Sequence, residues 1–321
     1  MIRLEALTKV YDTALGRVTA VDGVSFEVAS GETCVLLGPS GCGKTTTLRM
    51  INRLVAPTSG KIYLGGRDTD GVDPVELRRG IGYVIQQIGL FPNMTVAENI
   101  GVVPQLLGWD ADRRRRRVEE LLTLLGLPPA EFAARFPNEL SGGQAQRIGV
   151  ARALAVDPPV LLMDEPFAAL DPINREAVQD EFLKMQRTLR KTILFVSHDI
   201  DEAVKMADRI AIFHSGRLVQ FARPDEMLAH PADAFVAAFV GRDRTLKRLR
   251  LTRVREIMQA ADGDADANVP TVSPDDDLRS VAALFLERGV ENLRCVDAAG
   301  RVIGQVTRES LAARLSIDES S

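Results

Sequence analysis

The sequence has few cysteines and no long apolar run. Its three cysteines, Cys34, Cys42 and Cys295, follow no pair-like spacing, which fits a protein of the reducing cytoplasm better than a disulfide-stabilised secreted domain. No stretch approaches the roughly 20 apolar residues that a membrane-spanning helix needs. The first residues, Met-Ile-Arg-Leu-Glu, run directly into a strand pattern and do not form a secretory signal. If the protein serves a membrane process, we expect it to act from the aqueous side through a partner.

The sequence also lacks an excess of positive charge. Its 40 basic and 44 acidic residues leave a net charge of -4, which argues against nucleic acid as a partner. Hydrophobic residues make up 45% of the chain, enough for a sizeable core without disulfides. A length of 321 residues leaves room for two domains, one larger than the other.

A phosphate-binding motif stands out near the N-terminus. Residues 38–45, Gly-Pro-Ser-Gly-Cys-Gly-Lys-Thr, match the Walker A pattern G-x-x-x-x-G-K-[ST]. An apolar run over residues 33–37 predicts a buried strand before the motif, and residues 46–54 are compatible with a helix after it. This order aims backbone N–H groups at a triphosphate, and the helix dipole favours the anion by about 0.3–1 kcal/mol. We predict that Lys44 contacts the β- and γ-phosphates and that the Thr45 hydroxyl holds magnesium.

A second helix start with a preference for anions follows Leu140. Ser141 is a good N-cap, and Gly142 and Gly143 allow a ligand to approach the backbone closely. A plain capped helix would not need the second glycine. Two such helix ends in one chain predict that a nucleotide is clamped between two copies of the protein.

Two carboxylates end an apolar run at residues 160–165. Adjacent strand residues point to opposite faces, so Asp164 and Glu165 have different roles. One is expected to hold magnesium through water and the other to polarise the attacking water. A further strand, over residues 192–198, ends in His198, for which we favour contact of a neutral imidazole with a γ-phosphate.

Three other features have two interpretations each. Tyr11 is either a packed loop residue or a flat surface for adenine, and Gln86 is either a solvated loop amide or a group near a metal. The basic run at residues 113–117 has acidic neighbours, which favours a solvated helix face over a nucleic-acid site. Asp171 and Pro172 form an N-cap and first residue for a helix that extends to about Arg190.

Together these motifs resemble the ATP-binding subunits of ABC transporters over about residues 2–240. The sequence Leu-Ser-Gly-Gly-Gln at 140–144, followed by Gln146 and Arg147, matches the signature of that family. The resemblance implies an α/β fold of the P-loop NTPase class: a mixed sheet core, an antiparallel β-subdomain and a helical signature subdomain. It also implies ATP and Mg²⁺ as ligands.

The resemblance implies roles for individual residues. The nucleotide-binding set is Tyr11, Gly38, Pro39, Ser40, Gly41, Cys42, Gly43, Lys44, Thr45 and Thr46. The catalytic set is Lys44, Gln86, Glu165 and His198, and the metal set is Thr45, Gln86 and Asp164. Ser141, Gly142, Gly143 and Gln144 complete the site of a second copy, and Asp171 lies in the loop that faces it. Ala168 replaces a serine that is common in the family, with little expected consequence because the aspartate is retained.

The resemblance also implies partners. Two copies close head to tail over two ATP molecules and drive integral-membrane permease subunits, which receive cargo from an extracytoplasmic substrate-binding protein. The expected location is the cytoplasmic face of the membrane, and nucleic acid is not expected as a partner. Residues 50–54, 85–92 and 241–249 are similar to importers of glycine betaine, choline, carnitine or proline. Another cargo, such as an amino acid or a metal, and a soluble ABC ATPase outside transport remain alternatives.

The end of the chain resembles a single CBS motif, with a helix over residues 277–289 between short strands. We predict three regions: an ATP-binding domain at 1–240, a basic linker at 241–252 and a CBS-like domain at 253–321. Because CBS motifs normally work in pairs, the tail either pairs across the ATPase dimer or stays separate. The basic linker is either solvated or bound to anionic lipid, at about 1 kcal/mol per basic residue.

Overall fold

The computed structural model describes residues 1–14, 16–86, 89–168, 170–260 and 269–316. It divides into two compact units, one formed by residues 1–223 and the other beginning at residue 224. The predicted boundary between the first two regions lay at residue 240. The difference arises because the helices that follow Arg223 group with the second unit. Among the described residues, none forms a helix that is long and apolar enough to cross a bilayer.

A six-stranded sheet forms the centre of the first unit. Its strands, in spatial order, are β10 (Arg217–Ala222), β9 (Arg209–His214), β3 (Thr33–Leu37), β8 (Thr192–Val196), β7 (Val160–Asp164) and β6 (Ile81–Val84). All neighbours pair in parallel except β10, which forms an antiparallel hairpin with β9. Every residue of β3, β7 and β8 is buried, as the continuous apolar runs predicted.

A four-stranded antiparallel sheet completes the β structure of this unit. Its order is β2 (Gly16–Val28), β1 (Ile2–Thr13), β4 (Ser59–Leu64) and β5 (Arg67–Asp68). Ile2, Leu4 and Ala6 alternate with polar residues in the sequence, which predicts a strand with these three side chains on one face. The alternation breaks at Ala6, because a register shift between Leu4 and Leu7 turns Ala6 outward. Ala6 has a left-handed φ of 44°, and Leu7 takes the buried position.

Eight α-helices are described in the first unit: α1 (Lys44–Ile51), α2 (Pro74–Arg79), α3 (Val96–Leu106), α4 (Ala111–Leu124), α5 (Pro129–Phe132), α6 (Gly142–Leu154), α7 (Pro172–Leu189) and α8 (Ile200–Met206). A 3-10 turn covers Pro137–Glu139. Helices α3 to α6 all lie between β6 and β7 in the chain and form the helical subdomain. The basic run falls on α4, and each of its five arginines is exposed or half-buried. Arg117 differs: it donates to the carbonyls of Leu154 and Ala155 and so closes the end of α6.

The second unit contains a three-stranded sheet with helices around it. Its elements are α9 (Pro224–Ala229), α10 (Ala234–Val240), α11 (Arg244–Leu251), a 3-10 turn (Val254–Glu256), β11 (Thr271–Val272), α12 (Leu278–Arg288), β12 (Asn292–Val296), β13 (Val302–Thr307) and α13 (Arg308–Ser316). Strands β11 and β12 are parallel, and β13 runs antiparallel to β12. Helix α12 lies within the stretch predicted as a helix at 277–289, and its residues Leu278, Val281 and Phe285 belong to the core.

The stretch predicted as a basic linker contains helix α11. Leu249 is only 3% exposed and belongs to the core of the second unit. Lys247 is 5% exposed, with its ammonium 2.6 Å from the Asp243 carboxylate, which fits the rule that buried charges are paired. Lys247 is therefore not placed to meet a lipid headgroup in this conformation. Because basic residues dominate this stretch, the sequence predicted a linker and did not indicate a helix with an apolar face.

Candidate nucleotide site

Three neighbouring strands deliver the candidate residues to one edge of the central sheet. The Walker A loop follows β3, and His198 follows β8. Asp164 is the last residue of β7, and Glu165 is the first residue after it. Strands β3, β8 and β7 are parallel neighbours, so their carboxyl ends meet at this edge. Ligands of open α/β sheets bind at that edge.

A pocket of about 470 Å³ opens where these strands end, a size suited to a small-molecule ligand. Its lining consists of Ser40, Gly41, Cys42, Gly43, Lys44, Thr45, Thr46, Gln86, Glu165 and His198. The structure thus brings together the predicted phosphate loop and three of the predicted catalytic side chains from distant parts of the chain.

The loop around the pocket requires glycine at two positions. Gly38 has a φ of 143°, and a Cβ there would lie 2.2 Å from the carbonyl oxygen of Phe213. Gly43 has a φ of 103°, and its Cβ would lie 2.4 Å from the carbonyl oxygen of Ala20. Gly43 is also the N-cap of α1, and it provides no side-chain cap. The amides of the first turn therefore have no capping side chain, which suits an anionic ligand.

Lys44 supplies a positive charge inside the loop. The residue is 7% exposed, and its ammonium donates to the carbonyls of Gly38, at 2.6 Å, and Pro39, at 2.9 Å. The sulfur of Cys42 lies 3.7 Å from the same nitrogen. Burial raises the pKa of the Cys42 thiol although Lys44 opposes the shift, so we expect a protonated thiol near neutral pH.

Two oxygen groups at the pocket edge suit a hard cation. The Thr45 hydroxyl donates to the Asp164 carboxylate at 2.9 Å, and Asp164 is 5% exposed. Burial raises the pKa of Asp164 despite the bond from Thr45, so an adjacent cation would favour its charged form. Within the described ranges, no group of three or more His, Cys, Asp or Glu could form a metal cage. This arrangement fits magnesium, which usually takes one or two protein ligands together with phosphate oxygens and waters.

Gln86 lies beside the second carboxylate. Its amide nitrogen donates to the Glu165 carboxylate at 3.0 Å. The same carboxylate oxygen lies 3.6 Å from Nδ1 of His198, whose side chain is 61% exposed. Glu165 itself has a left-handed φ of 46°, and its N–H donates to the carbonyl of Val196 at 3.1 Å. Backbone strain of this kind costs about 1–3 kcal/mol and concentrates at functional sites.

The predicted residues outside the lining of this pocket are Gly38 and Pro39 of the loop, Asp164 behind Thr45, Tyr11, Asp171 and the signature residues at 141–144. Tyr11 is 38% exposed, with the ammonium of Lys9 4.9 Å from its ring centre. Asp171 precedes α7, where its carbonyl accepts from the N–H of Arg175 at 2.8 Å. The four signature residues at 141–144 begin α6 and contribute no lining atom.

The N-terminus of α6 is capped by its own residues. The Ser141 hydroxyl accepts from the N–H of Gln144 at 3.3 Å, and the Gln144 side chain accepts from the N–H of Ser141 at 2.9 Å. A Cβ at Gly143 would lie 3.3 Å from Val178. The second glycine therefore has a packing role that the sequence argument overlooked. A Cβ at Gly142 would lie 3.6 Å from Leu170, an ordinary contact.

Sequence reasoning missed two buried polar residues near the site. Glu202 is 7% exposed and accepts hydrogen bonds from Ser197 and Gln179. Asn99 is fully buried, and its side chain bonds the backbone of Phe91, Met94 and Thr95 in the segment after Gln86. The only signal for Glu202 was its place three residues after the N-cap Asp199, where a glutamate is usually a solvated capping residue.

The family described as ABC transporter matches residues 21–168, and the CBS domain family matches residues 254–317. The osmoprotectant import ATP-binding protein OsmV of Salmonella typhimurium is 55% identical over 96% of this chain and 79% of its own length. The glycine betaine/carnitine/choline transport ATP-binding protein OpuCA of Bacillus subtilis is 50% identical over 97% and 79%. The glycine betaine uptake system ATP-binding protein YehX of Escherichia coli is 44% identical over 97% and 99%.

Solved structures of ATP-binding cassettes resemble the same part of the chain. A dimeric, post-hydrolysis structure of the cassette MJ0796 bound to ADP and Pi matches with a TM-score of 0.62 and 35% identity. The match covers 70% of this chain and 98% of that one. The protein cbiO1 from Clostridium perfringens matches with a TM-score of 0.67 and 27% identity, over 78% and 94%.

Proposed function

This chain belongs to the ATP-binding subunits of ABC transporters that import osmoprotectants, and it also carries a CBS domain; we propose that it hydrolyses ATP to energise uptake of an osmoprotectant. The proposed cargo is either a quaternary amine (glycine betaine, choline or carnitine) or proline. The observation that carries this proposal is the Walker A pocket with Glu165 on its wall, in a chain 55% identical to an osmoprotectant import protein.

We propose that the pocket binds the triphosphate of ATP. The uncapped amides of α1 and the buried ammonium of Lys44 supply positive potential on one wall. Thr45 and Asp164 would hold Mg²⁺, which neutralises charge on the phosphates when it is bound. Tyr11 is the proposed adenine contact, since its aromatic side chain is exposed to solvent.

The proposed reaction is attack of water on the γ-phosphorus. The new bond joins the water oxygen to phosphorus while the bond to the bridging oxygen of ADP breaks. Glu165 accepts the proton of the water, and Gln86 and His198, which both lie beside its carboxylate, orient the reactants. The products are ADP and inorganic phosphate.

The proposed active unit contains two copies of the chain. In each site, one copy supplies the Walker A pocket and the other supplies Ser141 and the glycines that follow it. The absence of residues 141–144 from the pocket lining of a single chain supports this division, and so does the dimeric structure of the related cassette MJ0796. Asp171 is proposed to face the second copy.

The proposed site of action is the cytoplasmic face of the membrane, as a peripheral subunit. The relatives are named as import or transport ATP-binding proteins, which supports integral permease subunits as partners. A substrate-binding protein on the other side would act indirectly through that permease. Nucleic acid is not a proposed partner, given the net charge of -4.

Uptake of labelled solutes tests the function directly. Cells of the source organism that lack this gene receive either the wild-type gene or Glu165→Gln, and uptake of labelled glycine betaine, choline, carnitine and proline is measured at high osmolarity. We expect at least one solute to enter only with the wild-type gene. If each of the four solutes enters the wild-type and Glu165→Gln strains at the same rate, the proposed cargo class is contradicted.

A further inference from the structure

A buried carboxylate lies behind the proposed catalytic residues. Glu202, on α8, is 7% exposed, and each of its carboxylate oxygens accepts a hydrogen bond. One comes from the Gln179 amide at 2.9 Å, and the other comes from the Ser197 hydroxyl. Burial raises the pKa of Glu202, and these two bonds oppose the shift. Because a buried carboxyl group without hydrogen-bond partners costs free energy, these two bonds fix the position of the Glu202 side chain.

The Ser197 hydroxyl ties this carboxylate to the turn that carries His198. Its oxygen also accepts from the N–H of Asp199 at 3.0 Å, so the residues on both sides of His198 are fixed to one group. Asp199 in turn accepts from the N–H groups of Asp201, at 2.8 Å, and Glu202, at 3.3 Å. His198 therefore lies in a turn whose backbone is fixed by hydrogen bonds to the side chains of Ser197 and Asp199.

Helix α7 holds the same turn from the other side. Gln179 of α7 bonds Glu202, and Arg175 of the same helix lies 3.9 Å from the Asp199 carboxylate. Arg175 also donates to the carbonyl of Leu170 at 2.8 Å, in the loop that follows Glu165. One helix thus fixes both the histidine turn and the loop after the proposed base.

A small cavity joins these groups. It has a volume of about 10 Å³, near the minimum for one water molecule, and both Glu165 and His198 line it together with Glu202. The buried carboxylate and the two proposed catalytic residues therefore border one space.

We propose that Glu202 is a positioning residue, which acts through Ser197 to hold His198 beside Glu165 in the geometry required for ATP hydrolysis. This inference rests on the proposed function of the pocket. It assigns to Glu202 no contact with ATP and no proton transfer. Loss of the carboxylate should leave nucleotide binding intact and reduce turnover, because small displacements of a catalytic group cost up to about 100-fold in rate.

The first test observes His198 without reference to activity. The chain has three histidines, so the full-length protein labelled at histidine gives three ring signals, and His198→Ala identifies one of them. We expect Glu202→Ala to move or broaden the His198 signal and to leave those of His214 and His230 in place. Ser197→Ala, a smaller change, should act in the same direction. Glu176→Ala, at an exposed carboxylate on α7, is the matched control.

The second test measures turnover. We expect Glu202→Ala to lower kcat about 10- to 100-fold with nucleotide affinity changed less than about twofold. Glu202→Gln should restore most of the rate, because its amide oxygen accepts from Ser197 and the Gln179 amide turns over to accept from its NH2 group. In a His198→Ala background, Glu202→Ala should change the single-turnover rate less than about threefold.

The outcomes separate this inference from the proposed function. An unchanged His198 signal in both Glu202→Ala and Ser197→Ala would overturn the positioning role, and so would an undiminished loss of rate in the His198→Ala background. A displaced His198 signal with wild-type kcat would overturn the link to hydrolysis. A wild-type protein that binds no nucleotide would refute the proposed function, while the histidine signals would still decide whether Glu202 positions His198.

Discussion

The N-termini of α1 and α6 differ in how their first amides are satisfied. The N-cap of helix α1 is Gly43, which has no side chain to cap the first amides, and the first turn lines a pocket with a buried ammonium. The N-cap of helix α6 is Ser141, which forms a reciprocal capping box with Gln144. The first amides of α1 therefore have no capping side chain, which suits binding of an anion. The first amides of α6 are capped by side chains of the helix itself, and the Ser141 hydroxyl still has a proton to donate.

This difference indicates which half of the proposed site binds ATP first. The α1 end, with Lys44, supplies strong fixed charge and should account for most of the affinity. The α6 end adds one hydroxyl and a close backbone, and should act mainly once a second copy approaches. Four substitutions, two of them at these helix ends and two at the neighbouring carboxylates, test the proposed division of roles.

Glu165→Gln should have the largest effect. It removes the proton acceptor and keeps the shape, so kcat should fall about 10²- to 10⁴-fold while ATP affinity stays constant. With binding intact and hydrolysis absent, ATP should hold the chain as a stable dimer in size-exclusion chromatography. Wild-type turnover by this variant would exclude Glu165 as the base.

Lys44→Ala should weaken binding itself. Loss of a charge-assisted contact to phosphate costs about 1.5–3 kcal/mol, which is about 10- to 150-fold in Kd for ATP. Titration with a fluorescent ATP analogue measures the change, and Lys61→Ala, an exposed lysine of β4, is the control. Unchanged affinity would remove Lys44 from the phosphate site and reverse the assignment of the two helix ends.

Gly142→Ala separates packing from partner contact at α6. Its Cβ would make only an ordinary contact with Leu170, so the melting temperature should shift by less than about 2 °C. Hydrolysis should nevertheless fall at least about 10-fold, because the added methyl obstructs the phosphate bound by the second copy. Full activity with normal stability would show that the α6 terminus is only a capped helix.

Glu202→Gln should have the smallest effect, on the pH dependence of stability. Burial raises the pKa of Glu202, so the folded chain retains this proton to higher pH than the unfolded chain. The linked stabilisation is present at low pH and is lost as pH rises through the folded-state pKa. The melting temperature of the variant relative to wild type should therefore increase as pH rises above the ordinary glutamate pKa of 4.5. A difference in melting temperature between the two proteins that stays constant as pH changes would contradict this prediction.

The sequence was sufficient to predict the edge of the sheet at which the pocket lies. Strands buried on both faces are continuous apolar runs, so β3, β7 and β8 could be recognised together with the motifs that follow them. The parallel order of these strands then determines that their ends meet.

Other features depend on contacts between distant residues and left no local pattern. The partners of Glu202 and the cap formed by Arg117 belong to this class, because hydrogen bonds of buried groups are set by tertiary packing. The apolar face of α11 was concealed by the basic residues beside it. Ala6 shows that a single bulge can reverse the faces of a predicted strand.

Mixing two inactive variants tests the central claim that each ATP is shared by two copies. Lys44→Ala inactivates the pocket and Ser141→Arg blocks the α6 end, so each variant alone should fail to hydrolyse ATP. In an equal mixture, half of the dimers are mixed and each contains one intact site, so single-turnover hydrolysis should recover to about one quarter of the wild-type amplitude. No recovery in mixtures that contain the mixed dimer would contradict a site built from two chains.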